Sequence, residues 1–406
     1  MKKYYTYTLA KRAQPTPEWV AQVRARFPVE KAIDEVFTRK LHNRTQAPLQ
    51  DMDFTRLQKP LVNFLREQTG QADLEVRDLR RLSGGASKEQ FTFSLDWRNN
   101  KGERENLPLM LRMDPRESIV ETHRLREYQV LRAAWGEVPV PEVLWIDPEG
   151  KHLGQPALIA GFLEGTVQPP QPGNDERMSG VGLYFNPELR SALGDQFVKI
   201  LTEIHAIDWR TKGLSTFDVP SANSIEAAQT SLGLWERAWY EDTLSAHPVM
   251  ERAALWLREN IPPVDKPVLV HGDYRSGNFM YDKNLKINAI FDWELAYLGD
   301  YHDDLAWASL PIFGGPDESG NILASSLMPT ETFLRKYEQL SGNPVDHTKL
   351  LYYQIFSFYK ISVIAAATSI RVAYSQKTHL DAMMNYSGGI GYVGLSQLNR
   401  LLNTVS

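Results

Sequence analysis

The strongest constraint on the fold of this chain is a His-Gly-Asp sequence that ends at Asp273 and follows the apolar run Val268–Val270. Asn278 comes five residues later and opens a predicted β-hairpin, whose two apolar arms flank an Asp-Lys-Asn turn. Asp292 comes directly after the second arm. Antiparallel pairing brings Asn278 and Asp292 to the same open end of the hairpin, and the loop that carries Asp273 leads into that end.

The oxygen atoms of these three side chains are therefore expected to converge. Mg²⁺ keeps several waters and bridges substrate phosphates, so one or two carboxylates and a carbonyl oxygen are enough to hold it. Asn278 and Asp292 provide that set, which leaves Asp273 to orient an attacking hydroxyl group. Phosphoryl transfer requires positioned oxygens and neutralised charge more than covalent help from the protein. The sequence predicts a phosphoryl-transfer site, with a purely structural loop as the alternative.

The rest of the chain divides into three parts. A Thr-Pro helix start at 16–17 and apolar residues at helical spacing predict a helical extension over 1–72. Short apolar runs over 73–160 predict strands, with one helix over about 118–135. Helical spacing dominates 161–406. We expect an α+β fold with a small antiparallel-sheet N-lobe and a large, mainly helical C-lobe that carries the catalytic loop and the acceptor site.

The composition excludes several classes of protein. Lys and Arg total 45 and Asp and Glu 50, so the net charge of -5 gives no bulk attraction to nucleic acid. The chain has no cysteine, which excludes thiolate chemistry and fits a cytoplasmic location. Met1–Ala13 lacks the apolar segment of a secretory signal, and the apolar run Ile361–Ala367 is too short to cross a bilayer. We expect a monomer or homodimer without nucleic-acid or membrane partners.

The residues around Asp273 resemble the catalytic core of the aminoglycoside phosphotransferase and choline kinase-like superfamily, which has a protein-kinase-like bilobal fold. The spacing from Asp273 to Asn278 is also that of protein-kinase catalytic loops. The resemblance implies that Asp273 is the catalytic aspartate and Asn278 a metal ligand. It also implies that Asp292 is the counterpart of the kinase Asp-Phe-Gly aspartate, with Trp-Glu in place of Phe-Gly.

The continuation over 292–307 resembles the kinase-like domains that are fused to some acyl-CoA dehydrogenases. An arginine two residues after the catalytic aspartate is common in that subgroup, so the resemblance implies that Arg275 contacts the transferring phosphate. We expect the ring of His271 to hold the loop through hydrogen bonds to neighbours such as Asp304, with a role as base or ligand as the alternative. For the nearby aspartates at 300, 303 and 304, a cap on the following helix is favoured over extra metal ligands.

Upstream segments resemble the nucleotide-binding parts of a kinase. The residues that resemble the nucleotide-covering loop are Ser83, Gly84, Gly85 and Ser87; a glycine-bearing hairpin turn is the alternative. Arg112 ends a predicted strand at the position of the kinase lysine, and Glu127 is its expected partner in preference to Glu121. Arginine is a planar fork, so this replacement changes the chemistry; a surface ion pair is the alternative. Backbone groups of Ala160 to Phe162 are expected to bind the edge of the nucleotide base; a buried strand end is the alternative.

These resemblances imply ATP as the phosphate donor, with GTP as the alternative donor. They also imply Mg²⁺ as cofactor and a small-molecule hydroxyl group as acceptor. Outside 300–304 and 317–318, no concentrated acidic cluster suited to polycationic antibiotics is identifiable. The subgroup therefore favours a hydroxylated metabolite, such as a hydroxyacyl thioester, over an aminoglycoside or macrolide. A metal-dependent phosphoesterase, which His302 would serve, and a nucleotide-binding pseudokinase are the alternatives of other classes.

Overall fold

The computed structural model describes residues 9, 11–45, 56–82, 88–99, 101–115, 118–171, 181–375 and 381–405, and for 374–375 and 381–388 the backbone alone. The predicted nucleotide-covering residues Ser83, Gly84, Gly85 and Ser87 lie outside the described residues.

The N-lobe is built on a five-stranded antiparallel sheet in the order β1-β2-β3-β5-β4. Its strands are β1 (Glu75–Arg81), β2 (Glu89–Arg98), β3 (Arg104–Met113), β4 (Val143–Asp147) and β5 (Ala157–Gly161). Sequence patterns predict four of these strands and miss β4, whose mixed burial hides the period-2 alternation. Helix α4 (Arg124–Ala134) packs against the sheet and begins later than the predicted residue 118. The difference arises because 118–123 is not helical, and Thr122 there accepts a hydrogen bond from Lys88.

The predicted N-terminal helices are present as α1 (Pro17–Arg26), α2 (Lys31–Arg44) and α3 (Gln58–Thr69). Thr16 caps α1, because its hydroxyl accepts a hydrogen bond from Trp19 N at 3.3 Å. The apolar face of α3 joins the core of the N-lobe sheet. Helix α2 instead forms an ion pair with the C-lobe, between Lys40 and Asp242 at 3.1 Å. The extension therefore does not form a separate unit but packs against both lobes.

Helices make up most of the C-lobe. They are α5 (Pro187–Ala206), α6 (Glu226–Asp242), α7 (Pro248–Glu259), α8 (His302–Ala308), α9 (Thr330–Ser341), α10 (His347–Val363), a π-helix (Ile364–Thr368), α11 (Ser369–Ser375) and α12 (Asp381–Leu402). The span His347–Ala373 is long and apolar enough to cross a bilayer by composition, but 83% of its most apolar window is buried inside the protein. It is therefore packed as a core helix, as the sequence predicts for Ile361–Ala367.

Short strands interrupt the helices and carry the catalytic loop. Strand β6 (Val268–Val270) pairs with β9 (Tyr297–Gly299), and β7 (Phe279–Tyr281) pairs with β8 (Ile287–Ile290). The β7–β8 hairpin has the predicted turn, and Phe291 N donates to Asn278 O at 2.8 Å. The hairpin therefore opens toward Asp292, as expected. A minor pair, β10 (Leu323–Ala324) and β11 (Met328–Pro329), lies before α9.

Candidate functional site

The catalytic loop turns sharply directly after β6. Gly272 has a φ of 81°, and a Cβ atom at this position would lie 2.5 Å from Leu295 O. Any other residue would therefore meet both an unfavourable backbone conformation and a clash with the segment that follows Asp292. The turn directs the next residue, Asp273, toward the hairpin.

Three donors fix the carboxylate of Asp273. Its Oδ1 accepts hydrogen bonds from Trp307 Nε1 at 2.7 Å and from Arg275 Nε at 2.9 Å, and its Oδ2 accepts from Asn278 Nδ2 at 2.7 Å. The side chain is 17% exposed, so it can still meet a ligand. This carboxylate is pre-oriented, which is what a group that positions an attacking hydroxyl requires.

Asn278 and Asp292 offer the remaining oxygen atoms. The amide nitrogen of Asn278 also donates to Asp273 O at 2.8 Å, and because both partners are acceptors, its side-chain oxygen is the atom left for a cation. Asp292 has a φ of 60°, and its carboxylate is 36% exposed. Burial would raise the pKa of Asp292, but Arg112, Arg275 and His271 hold it below its usual value. An ionised carboxylate beside a carbonyl oxygen fits the ligand preference of Mg²⁺.

His271 holds the loop, but with partners that differ from the expected one. Its Nε2 bonds Phe291 O at 2.9 Å, and its Nδ1 accepts from Asp273 N at 3.2 Å. Burial lowers the pKa of His271 against the effect of nearby aspartates, so the ring is neutral with its proton on Nε2. The expected contact with Asp304 is made by the main chain of His271 and not by its ring, since His271 N donates to Asp304 Oδ2 at 2.7 Å.

The three aspartates after the hairpin have separate structural roles. Asp304 is fully buried and accepts from both His271 N and Gly272 N, so it anchors the catalytic loop from α8. Asp300 accepts from His302 N at 3.0 Å at the start of α8, although the cap position of that helix is Tyr301, whose side chain makes no cap hydrogen bond. Asp303 accepts from Tyr297. Within the described part of the chain, no three His, Asp or Glu side chains are grouped closely enough to hold a metal.

Arg112 joins the two lobes at the site. It pairs with Glu127 at 3.3 Å, in the N-lobe, and with Asp292 at 2.5 Å and Glu294 at 3.5 Å, in the C-lobe. The predicted partner Glu127 is therefore the one in contact. Whether these two side chains bind a nucleotide stays a prediction.

Lys88 is a member of this network that the sequence did not indicate. Its ammonium group is fully buried and lies 3.2 Å from Asp114 and 3.4 Å from Glu294. Arg124 completes the network through ion pairs with Asp114 and Glu127. A signal was present, because Lys88 directly follows the glycine-containing segment, but its partners are distant in sequence. Trp307 was missed for the same reason.

A cavity of about 60 Å³ lies between the lobes, beside Asp292. Its lining residues are Met110, Arg112, Glu127, Leu131, Pro141, Leu158, Ala160, Gly161, Leu163, Ile290, Phe291, Asp292 and Trp293. Ala160 contributes to its wall, and its contact with a nucleotide base stays a prediction. The N–H groups of Gly161 and Phe162 donate to Glu142 O and Pro108 O, so they are already used for sheet contacts. A contact from Phe162 to a base edge would have to use its carbonyl group.

Comparisons with known proteins identify relatives of this chain. Residues 78–337 match the profile of the phosphotransferase enzyme family. Mouse (Mus musculus) acyl-CoA dehydrogenase family member 10 is 27% identical over 290 residues, which is 68% of this chain but 26% of that protein. The chain thus corresponds to about a quarter of that relative's length.

Solved structures share the fold. A Ralstonia eutropha protein assigned to the aminoglycoside phosphotransferases aligns with a TM-score of 0.62 and 22% identity, over 85% of this chain and 98% of that one. An aminoglycoside phosphotransferase in a ternary complex with ADP and hygromycin B aligns with a TM-score of 0.51 and 17% identity, over 84% and 98%. At these identities the likeness concerns the fold, and it confirms the predicted α+β, kinase-like architecture.

Proposed function

This chain belongs to the phosphotransferase enzyme family, and from that premise we propose that it transfers the terminal phosphoryl group of ATP, or of GTP, to a hydroxyl group of a small molecule. The observation that carries the proposal is the geometry of Asp273. Three donors hold its carboxylate in place, one of them Asn278, and the oxygens of Asn278 and of the Asp292 carboxylate, which also accepts from Arg112, suit a divalent cation.

The proposed reaction forms one bond and breaks one bond. The acceptor oxygen attacks the γ-phosphorus, the bond from that phosphorus to the β–γ bridging oxygen breaks, and the nucleoside diphosphate leaves. Asp273 orients the hydroxyl group and takes its proton. Arg275, 2.9 Å from Asp273 Oδ1, is close enough to that carboxylate to contact the transferring phosphoryl group. Asn278 Oδ1 and Asp292 would hold Mg²⁺, which supplies charge neutralisation for the phosphates.

The acceptor is proposed to be a hydroxyacyl thioester or a related hydroxylated metabolite. This preference rests on the relatives, because the matched segment is part of a longer protein named as an acyl-CoA dehydrogenase. If the phosphotransferase and the acyl-CoA dehydrogenase of such a protein act in sequence, both act on the same class of substrate. An aminoglycoside or macrolide acceptor is the alternative, supported by the fold neighbour that is bound to hygromycin B.

Replacement of Asp273 tests the proposal. We expect Asp273→Asn to lower the rate of phosphoryl transfer on the order of 10²-fold or more, because the amide cannot accept the hydroxyl proton. The rate is measured by mass spectrometry of acceptors incubated with MgATP or MgGTP, each phosphorylated product gaining about 80 Da, the mass of one phosphoryl group added by the transfer. The control is Asp208→Asn, at an exposed aspartate. Full turnover in Asp273→Asn would exclude Asp273 as the base, and a panel without any product would favour a pseudokinase.

A further inference from the structure

A second cavity, of about 140 Å³, lies beside the catalytic loop and shares no lining residue with the cavity between the lobes. Its walls come from the turn between α1 and α2, the segment from Glu294 to β9, one face of α6, and Lys360 of α10. One water molecule needs about 10–15 Å³ of such a volume, so the cavity has room for a small organic molecule.

The lining of this cavity is strongly acidic. Its acidic residues are Glu30, Glu121, Asp218, Glu226, Glu294 and Asp303. Its basic residues are Arg126 and Lys360. Six carboxylates against two cations give a formal difference of four negative charges. These acids come from segments that are far apart in sequence, which explains why no such cluster was identifiable from the sequence alone.

Most of these carboxylates already have partners. Glu30 pairs with Arg126 at 2.6 Å, and Glu294 lies within 3.5 Å of Lys88 and Arg112. Asp303 differs, because it is 1% exposed and, among the described residues, its Oδ1 has no hydrogen-bond partner. Its Oδ2 accepts from Tyr297 at 2.8 Å. A buried carboxylate oxygen without a hydrogen-bond partner lowers the stability of the fold. It is therefore an acceptor for a donor group on a ligand that enters the cavity.

Lys360 does not take that position. Its ammonium group donates to Gly272 O in the catalytic loop and lies 4.0 Å from the ring centroid of Trp307. Within the described residues, neither Asp303 nor Glu121 has a cation at ion-pair distance, and Lys360 acts on Asp303, and Lys40, Arg371 and Lys88 on Glu121, only from farther away. The cavity thus combines two carboxylates without a paired cation and the apolar walls of Leu234 and Trp235.

We propose that this cavity binds a small aliphatic amine, with its ammonium group at Asp303 and its hydrocarbon part against Leu234 and Trp235. An ammonium group donates a hydrogen bond to Asp303 Oδ1 and offsets the acidic charge of the cavity. The adjoining methylene groups pack against the indole of Trp235. Lys360 contacts both the cavity and Gly272 O, so the bound amine lies one residue from the catalytic loop. Binding does not require phosphoryl transfer, so this proposal can fail or hold independently of the proposed function.

Titration calorimetry with matched four-carbon ligands tests the proposal on the full chain at pH 7.5 and constant ionic strength. We expect n-butylamine or 1,4-diaminobutane to bind with a Kd of about 1 mM, as suits ligands of this size, and 1-butanol and butyrate not to bind. Asp303→Asn keeps an oxygen for Tyr297 and is expected to weaken amine binding about 10-fold, from the loss of one charge-assisted hydrogen bond. The control Glu259→Gln, at an exposed acid outside the cavity, is expected to bind as the wild type does.

A second variant makes the result independent of Asp303. Leu234→Trp fills the cavity from α6 and is expected to abolish amine binding without changing any charge, while the thermal unfolding transition stays cooperative. Equal affinity for 1-butanol and n-butylamine would overturn the proposal. So would unchanged amine affinity in both Asp303→Asn and Leu234→Trp.

Discussion

Single residues far apart in the sequence set the geometry of the catalytic loop. Asp304 binds two loop N–H groups from α8, and Trp307 of the same helix donates to Asp273. The contact of Asn278 with Asp273, and with Phe291 directly before Asp292, could be predicted, because a short loop and a hairpin fix it locally. The contacts of Trp307 and Lys88 could not, since they depend on how separate elements pack.

Lys88 allows a test of the network between the lobes at this scale. We expect Lys88→Met to destabilise the protein by about 3 kcal/mol, because Asp114 and Glu294 lose a buried cation. The double variant Lys88→Met/Glu294→Gln is expected to recover at least about 1 kcal/mol of that loss. Urea unfolding of the single and double variants measures this coupling.

The control for this cycle is Lys101→Met, which removes an exposed lysine and is expected to change stability by less than about 0.5 kcal/mol. Strict additivity of Lys88→Met and Glu294→Gln would show that the two side chains do not interact.

Asp303 predicts a dependence of stability on pH. Burial raises the pKa of Asp303 to about 6, although Lys360 opposes the shift and Asp304 and Asp300 add to it. Since the folded protein binds this proton more tightly than the unfolded chain, the stabilisation is complete below about pH 4 and is lost as pH rises through about 6. We expect Asp303→Asn to be more stable than wild type by about 2 kcal/mol at pH 7.5 and by much less at pH 4.

Urea unfolding of both proteins at the two pH values provides the measurement. A difference in stability that is the same at pH 4 and pH 7.5 would contradict a raised pKa. Glu259→Gln is the control for removal of a carboxylate in an exposed position.

At the scale of helices and strands, local sequence signals were sufficient to predict an element whose start or turn is set by its own residues. Thr16 with Pro17 marks the start of α1, and the Asp-Lys-Asn turn marks the β7–β8 hairpin. The start of α4 was predicted too early because tertiary contacts override helical periodicity. Thr122, just before this helix, bonds to Lys88, and Glu121 lines a cavity.

Helix α2 is predicted to depend on buried charges for its attachment to the C-lobe. Lys40 of α2 is 8% exposed and pairs with Glu241 at 3.0 Å and Asp242 at 3.1 Å on α6. Burial would raise the pKa of Asp242, but Arg371, Lys40 and Arg44 hold it far below its usual value. We expect Lys40→Met to lower the free energy of unfolding by about 2–3 kcal/mol, because the remaining cations compensate these acids only in part.

The matched control is Lys59→Met, at an exposed lysine on α3. Urea unfolding of both variants decides the point. If Lys40→Met and Lys59→Met have the same stability, the ion pairs of α2 contribute nothing to its attachment.

At the scale of the whole molecule, the two lobes meet through charged side chains around the site. Arg112 and Lys88 of the N-lobe reach Asp292 and Glu294 of the C-lobe, and Arg126 reaches Glu30 of the extension. The bilobal architecture could be predicted from the order of strands and helices. The attachment of α2 to the C-lobe could not, because it includes an ion pair between residues 202 positions apart, Lys40 and Asp242.

The central claim is that Asp273, Asn278 and Asp292 gather around one divalent ion beside the nucleotide. A crystal of the full chain grown with Mn²⁺ and a non-hydrolysable ATP analogue tests it directly, because Mn²⁺ scatters anomalously. We predict an anomalous peak about 2.1–2.2 Å from both Asn278 Oδ1 and an oxygen of Asp292, with the γ-phosphate facing Asp273. A metal bound away from these two residues, or a triphosphate outside the cleft between the lobes, would contradict the account.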